Sequence, residues 1–273
     1  MTWVDFFRLT RPVNVVMAMV AALLGYWLGL GVVRLDSAGI LAALTVGFVS
    51  AGGHVINDFF DVRVDQNGKR DRPLASGRLT PFSGLVFAVV LFGIGLVCAR
   101  LAGEFLFVIA FVFVLALSAY SGLLSKFKWI GNFVVAFSTA FTFVFGALSG
   151  QWNEVVLFVA ASAFFLNLAR ELVKDLEDRE MDAGAKTALV HVLGERMTLG
   201  IVLAYAVLAI GVSFAPLMTG WTASIAFGTI LIIANAFVFL AVEQALNSHF
   251  SVSQKWFKVA MAIALVGFFS LLV

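Results

Sequence analysis

The sequence predicts an all-α, polytopic membrane protein with about nine transmembrane helices, and three observations carry that expectation. The 273 residues are 62% apolar and 12% charged, whereas a soluble domain is about 45–50% apolar and about 25% charged. Apolar residues fall in long runs of the ~20 residues that cross a hydrocarbon core. The few charges collect at alternate ends of those runs. In water such a chain would expose very large apolar patches. The same composition excludes a disordered chain, a collagen-like fibre and a secreted disulfide scaffold.

The runs are bounded by charges or by Gly/Asn clusters. Val13–Leu30 follows Arg8 and Arg11; it is long enough to span, so no cleavable leader is expected. Ala38–Asn57 lies between Asp36 and the acids that begin at Asp58. Pro81–Arg100 runs from Arg78 to Arg100, and Glu104–Ser121 from Glu104 to Gly122. Gly131–Leu148 follows Lys126 and Lys128, and Asn153–Val173 stops at Lys174. Met197–Pro216 follows Glu195 and Arg196, Trp221–Val242 ends at Glu243, and Lys255–Val273 is the last. Nine spans use roughly 180 residues, so residues 1–273 are expected to form one transmembrane domain. The spacing of its acidic motifs suggests duplicated four-helix units, 13–121 and 131–242, followed by a last helix, 255–273.

With the N-terminus and the loops after even-numbered spans on one side, that side holds 16 of the 18 Lys and Arg. The positive-inside rule makes it cytoplasmic. The same side also holds 13 of the 16 acids, which that rule does not explain.

Two clusters account for those acids. In Asn57-Asp58-Phe-Phe-Asp61-Val-Arg-Val-Asp65, the residues Asn57, Asp61 and Asp65 recur every four positions, so a helix would stack them on one face with Asp58 beside them. In the second, Asp175, Asp178 and Asp182 share a helical face, and Glu171 extends it into the span. Stacked carboxylates repel, more so at a membrane boundary. A divalent cation removes that cost, and hard oxygen donors suit Mg²⁺ completed by water and substrate phosphate. Lys69, Arg70, Arg72 and Arg78 follow the first cluster, and Lys126 and Lys128 close the fourth span. Cations beside metal-binding acids fit a diphosphate. The bland alternative is a set of solvated, topology-setting charges. A cation transporter would instead place its acids near the bilayer midplane. The net charge of +2 gives no reason to expect nucleic acid, and the single Cys98 excludes a disulfide.

The segments Asn57-Asp58-x-x-Asp61-x-x-x-Asp65 and Asp178-x-x-x-Asp182 resemble the two aspartate-rich motifs of UbiA-type intramembrane prenyltransferases. The resemblance extends to Arg8-Leu-Thr-Arg11-Pro12-x-Asn14, Arg72-Pro73, Ser76-Gly77-Arg78, Tyr120, Lys126 and Gly131-Asn132. Ala169-Arg-Glu-Leu-Val-Lys-Asp-Leu-Glu-Asp178 is similar to the digeranylgeranylglyceryl phosphate synthases of archaeal ether-lipid synthesis. Asp71, Ala75 and Ser125 depart from the commoner Asn, Pro and Lys at their positions.

The resemblance implies nine helices around a central cavity that opens to the cytoplasm and to lipid. It implies Mg²⁺ as cofactor, held by Asn57, Asp61, Asp178 and Asp182, with Asp58, Asp65 and Asp175 in support or binding a second ion. Lys126 and Arg72 would contact the diphosphate, with Lys69, Tyr120 and Asn132 also in the substrate site. Arg8 and Arg11 would lie near the acceptor or the entrance, and Asn14 would line the pocket. The implied reaction moves a geranylgeranyl group from geranylgeranyl diphosphate to geranylgeranylglyceryl phosphate; the alternative acceptor is aromatic, such as 4-hydroxybenzoate. The partners are thus a prenyl diphosphate and a lipid-like phosphate acceptor, and no obligate protein partner is implied. Phe137, Phe141, Phe145, Phe164 and Phe165 are candidates to line an apolar tunnel. His54 either positions the amide or the acceptor, or packs as a polar helix residue.

Overall fold

The computed structural model describes residues 3–67, 71–124, 127–182, 184, 186–218 and 225–273, with the backbone alone at 67, 181 and 182. Among the described residues the elements are helical, apart from one isolated bridge between Phe127 and Thr187. Nine of these helices are long and apolar enough to cross a membrane. The chain forms two compact units, Met1–Leu23 with Leu35–Lys126 and Leu24–Arg34 with Phe127–Val273.

In the first unit, α1 (Trp3–Leu9) is separated by Thr10 and Arg11 from α2 (Pro12–Leu30). Pro12 opens α2 where a missing N–H costs nothing. Asp36 caps α3 (Ser37–Phe60) by accepting from the Gly39 N–H at 3.1 Å. A short α4 (Val62–Asn67) follows. Thr80 caps α5 (Pro81–Ala102) through the Ser83 N–H. Last in this unit, α6 (Glu104–Ala119) runs into a π-helical turn, Tyr120–Leu124. Lipid tails are as apolar as Leu, so membrane helices associate through close contact of small residues. Ala42, Ala43, Gly47, Ala51 and Gly52 supply that contact on α3. They pack beside a core of Leu9, Val55, Ile56, Leu74, Leu79, Ala88 and Phe92.

The second unit takes the end of α2 together with α7 (Lys128–Leu148), α8 (Val155–Glu177) and the single turn α9 (Arg179–Asp182). It continues through α10 (Leu189–Ser213), α11 (Ile225–Leu246) and α12 (Phe250–Phe269). At Gly25 the α2 and α7 backbones touch: a Cβ there would lie 2.0 Å from the Phe143 carbonyl oxygen. The core comprises Leu166, Ala169, Leu172, Val202, Ala206, Val238, Ala241 and Phe257. Ser162 Oγ donates to Ala209 O and Ser253 Oγ to Ala241 O, joining helices where water is absent.

Several helices outrun the apolar runs. In the first unit α3 reaches Phe60; in the second, α8 reaches Glu177 and α10 starts at Leu189 instead of Met197. The added turns carry Asp58, Lys174, Asp175, Glu195 and Arg196, charges that end a hydropathy window without ending a hydrogen-bond ladder. Gly194, at φ 79° and ψ 166°, kinks α10 immediately before Glu195 and Arg196, setting the first turn, residues 189–193, apart from the rest. The start expected at Trp221 lies outside the described residues.

Candidate active site

Each acidic motif sits at the end of a long helix, in one unit apiece. In the first unit Asp58, Asp61 and Asp65 are all buried, at 4%, 6% and 1% exposure. They do not share one continuous helix, as the spacing alone suggested. Asp61 is the C-cap of α3 at φ −85° and ψ 0°, and α4 begins at the next residue. The register survives the break: Asp61 N–H donates to Asn57 O at 3.0 Å and Asp65 N–H to Asp61 O at 2.9 Å. Asn57 is half-buried on the last turn of α3.

Burying carboxylates is costly unless each is paired. Here Arg72 Nη1 donates to Asp58 Oδ1 at 2.9 Å and to Asp65 Oδ2 at 2.7 Å. Arg11 Nη2 adds a second contact to Asp58 Oδ1 at 2.6 Å. Arg11 reaches it from the α1–α2 break at φ 53°, a backbone state uncommon for a residue with a side chain. Nearby, Arg78 donates to Asp71 at 2.6 Å and to the buried Asp5 at 3.1 Å. The Asp71 hydrogen bond, ahead of the weaker attraction of Asp5, raises the Arg78 pKa. Arg8 is exposed on α1, Asn14 is half-buried on α2, and Tyr120 is half-buried in the π-helical turn. Lys69 and Lys126 lie outside the described residues.

The second unit repeats the local device. Asp178 is the C-cap of α8 at φ −84° and ψ 0°; its N–H donates to Lys174 O at 2.9 Å, and α9 starts at the next residue. Asp175, at 1% exposure, is held by Lys128 Nζ at 2.9 Å and by Asn132 Nδ2 at 2.7 Å. Lys128 Nζ also lies 3.7 Å from Asp178. The Asp182 side chain lies outside the described residues. One turn deeper, the buried Glu171 receives Arg170 at 2.7 Å and Lys174 at 3.4 Å. Arg179 pairs with Glu195, and Gln254 donates to Glu177.

The sequence thus located the acids and Arg11, Arg72 and Asn132 but did not assign Lys128 or Arg170 to the site. In the sequence Lys128 stands only generally among the cations beside the acids, and Arg170 stands within the second motif without a role, because a cation at a membrane edge usually signals orientation. Four of the five Phe residues expected to line a tunnel stand in an edge-and-stack ladder of ring contacts. Phe141, Phe137, Phe133, Phe164, Phe165 and Tyr205 follow one another at centroid distances of 5.8, 6.1, 5.5, 5.4 and 6.1 Å. Phe145 is buried at 4% exposure.

The donors of both motifs are oxygens. Among the described residues no three acidic, imidazole or thiol side chains gather into a cage that could hold a metal alone. This donor set fits Mg²⁺, which takes one or two carboxylates and completes its shell with water and substrate phosphate.

The model of the UbiA prenyltransferase family matches residues 18–270. The chain belongs to the UbiA prenyltransferase family. This UbiA protein is 31% identical over 264 residues to the digeranylgeranylglyceryl phosphate synthase of Methanothrix thermoacetophila, covering 96% of each chain. It is similar to a solved structure giving structural and mechanistic insights into digeranylgeranylglyceryl phosphate synthase in membranes. The TM-score there is 0.78 at 28% identity, over 97% of this chain and 96% of that one. A UbiA homolog from Archaeoglobus fulgidus bound to GPP and Mg²⁺ shares the fold, with a TM-score of 0.74 at 19% identity over 98% and 99% of the two chains. The protein is a multi-pass intramembrane prenyltransferase, as the two motifs led us to expect.

Proposed function

We infer that this UbiA protein transfers a geranylgeranyl group from geranylgeranyl diphosphate to the free hydroxyl of geranylgeranylglyceryl phosphate, giving the diether of archaeal ether lipids. The observation that carries the inference is the similarity to a digeranylgeranylglyceryl phosphate synthase along 96% of the chain. The buried acidic motifs with their cations supply the chemistry such a reaction needs.

Asn57 and Asp61 in one motif, and Asp178 and Asp182 in the other, are the proposed Mg²⁺ ligands. Bound Mg²⁺ supplies charge neutralisation that makes diphosphate a better leaving group. Asp58, Asp65 and Asp175 hold Arg72 and Lys128 in place, and those cations spread the charge that grows on the departing oxygens. Lys69, Lys126, Tyr120 and Asn132 complete the diphosphate side; Arg8, Arg11 and Asn14 serve the acceptor side. The allylic C–O bond breaks, the acceptor oxygen bonds to that carbon, and the hydroxyl proton passes to a carboxylate or to the released diphosphate. Water would capture the allylic cation, so apolar walls such as the Phe137–Phe165 ladder exclude it. The excess of Lys and Arg at one set of loops supports a cytoplasmic face for this chemistry.

The test is purified protein with Mg²⁺ and geranylgeranyl diphosphate, offered either geranylgeranylglyceryl phosphate or 4-hydroxybenzoate. Diether formation is expected; prenylation of the aromatic acid alone overturns the acceptor assignment. Asp61→Ala and Asp178→Ala are each expected to lower kcat by ~100-fold or more, and chelation by EDTA to arrest the wild type. Retained turnover in either variant at saturating Mg²⁺ refutes the ligand set.

A further inference from the structure

The reaction as derived leaves one buried charge cluster without a task. On α8, Glu171 is 5% exposed and meets two cations, Arg170 Nη2 at 2.7 Å and Lys174 Nζ at 3.4 Å. Both contacts fall on the one carboxylate of Glu171, and Lys174 also faces the charge of Asp175, the next residue along the helix. The Arg170 side chain is 16% exposed, and its Nε is buried with no hydrogen-bond partner among the described residues. A buried N–H on a guanidinium calls for an acceptor, preferably an anionic one. Lys128, one helix away in the same unit, is by contrast shared between the carboxylates of Asp175 and Asp178.

Guanidinium groups offer donors in a fixed fork that matches phosphate oxygens. With Nη2 donating to Glu171, Nε and Nη1 are the guanidinium donors left for a ligand. Lys174 lies one turn further along α8, and the cap residue Asp178 one turn beyond that. From Arg170 to Asp178 the helix advances ~12 Å. An anion held by Arg170 and Lys174 would thus stand one to two turns from the cap carboxylate, a separation that a glyceryl unit and its phosphate can cover.

We propose that Arg170, assisted by Lys174, binds the phosphate monoester of the acceptor and so selects a phosphorylated lipid over a neutral alcohol. This rests on the lipid-phosphate reading of the acceptor given above. The unpartnered Arg170 Nε suits an acceptor that carries its own phosphate, whereas a neutral alcohol would leave that donor unsatisfied.

Steady-state kinetics of the full-length protein with Mg²⁺ and geranylgeranyl diphosphate provide the test, using geranylgeranylglyceryl phosphate and its dephosphorylated alcohol as acceptors. Arg170→Gln is expected to raise KM for the phosphorylated acceptor by about ten-fold or more. KM for geranylgeranyl diphosphate should be unchanged, and kcat/KM for the alcohol should change by less than about two-fold. Arg170→Lys keeps the charge without the fork and should recover part of the loss. In the wild type, glycerol phosphate should compete with the acceptor and not with the diphosphate, while inorganic phosphate at the same concentration should compete more weakly. An unchanged acceptor KM in R170Q overturns the proposal. So does an equal loss with the alcohol, which marks a structural role, or a rise confined to KM for the diphosphate. If R170Q does not fold, the wild-type competition and R170K decide: no competition by glycerol phosphate, or an unaltered R170K, overturns it. Absence of wild-type turnover with the phosphorylated acceptor defeats the functional reading, and this assignment with it, before any variant is made. A negative R170Q result alone leaves the reaction standing.

Discussion

Arg72 bridges Asp58 and Asp65 through one nitrogen, joining the end of α3 to α4, and both carboxylates are almost fully buried. Arg72→Gln removes the one contact that Asp58 and Asp65 share, while Arg11 still holds Asp58. The variant is expected to lose on the order of 2–3 kcal/mol of stability, read as a lower Tm in detergent, with Arg72→Lys intermediate. Asn132→Ala removes a buried donor from Asp175 and should cost about 1–3 kcal/mol by the same measurement. The acids of both motifs were legible in the sequence because buried or membrane-edge carboxylates in helical register need a reason. Lys128 and Arg170 were not, since the orientation rule already expects a cation at that edge. Their pairing with Asp175 and Glu171 depends on side-chain reach within a folded unit, which spacing along the chain does not encode.

For the helices, close approach sets the sharpest constraint. A Cβ at Gly25 would meet the Phe143 carbonyl oxygen at 2.0 Å, a backbone atom that cannot rotate away. Gly25→Ala must push α2 off α7 and is expected to destabilise by about 3 kcal/mol, seen as lower yield and Tm. A Cβ at Gly228 on α11 meets nothing within 4 Å, so Gly228→Ala should be neutral or slightly stabilising. From the sequence the two glycines look alike, each in an apolar run. Apolar runs located the spans because hydropathy reports lipid contact. They misplaced the ends of α3, α8 and α10 because the helical hydrogen-bond ladder continues past the first charge. Those extra turns carry Asp58 and Asp175 and end at the two Asp caps, so the hydropathy boundary fell within the proposed site itself.

Across the whole molecule, 16 of 18 basic and 13 of 16 acidic residues fall on one set of loops. Cysteine labelling tests the orientation this implies. The native Cys98 is buried and is replaced by Ala. Ser248→Cys is then expected to react with an impermeant thiol reagent only from the cytoplasmic side, and Gln151→Cys only from the opposite side; both positions are exposed. The reverse pattern would invert the topology. Composition and charge placement by themselves determined the membrane class, the number of spans and the two acidic motifs, because lipid tolerates few charges and those it does tolerate must be accounted for. The tertiary structure decided which cation meets which carboxylate and where backbones touch. It also showed that Asp61 and Asp178 end their helices in the same conformation. These outcomes depend on contacts between residues far apart in the chain, such as Arg11 with Asp58 and Asn132 with Asp175, which come together only when the helices pack.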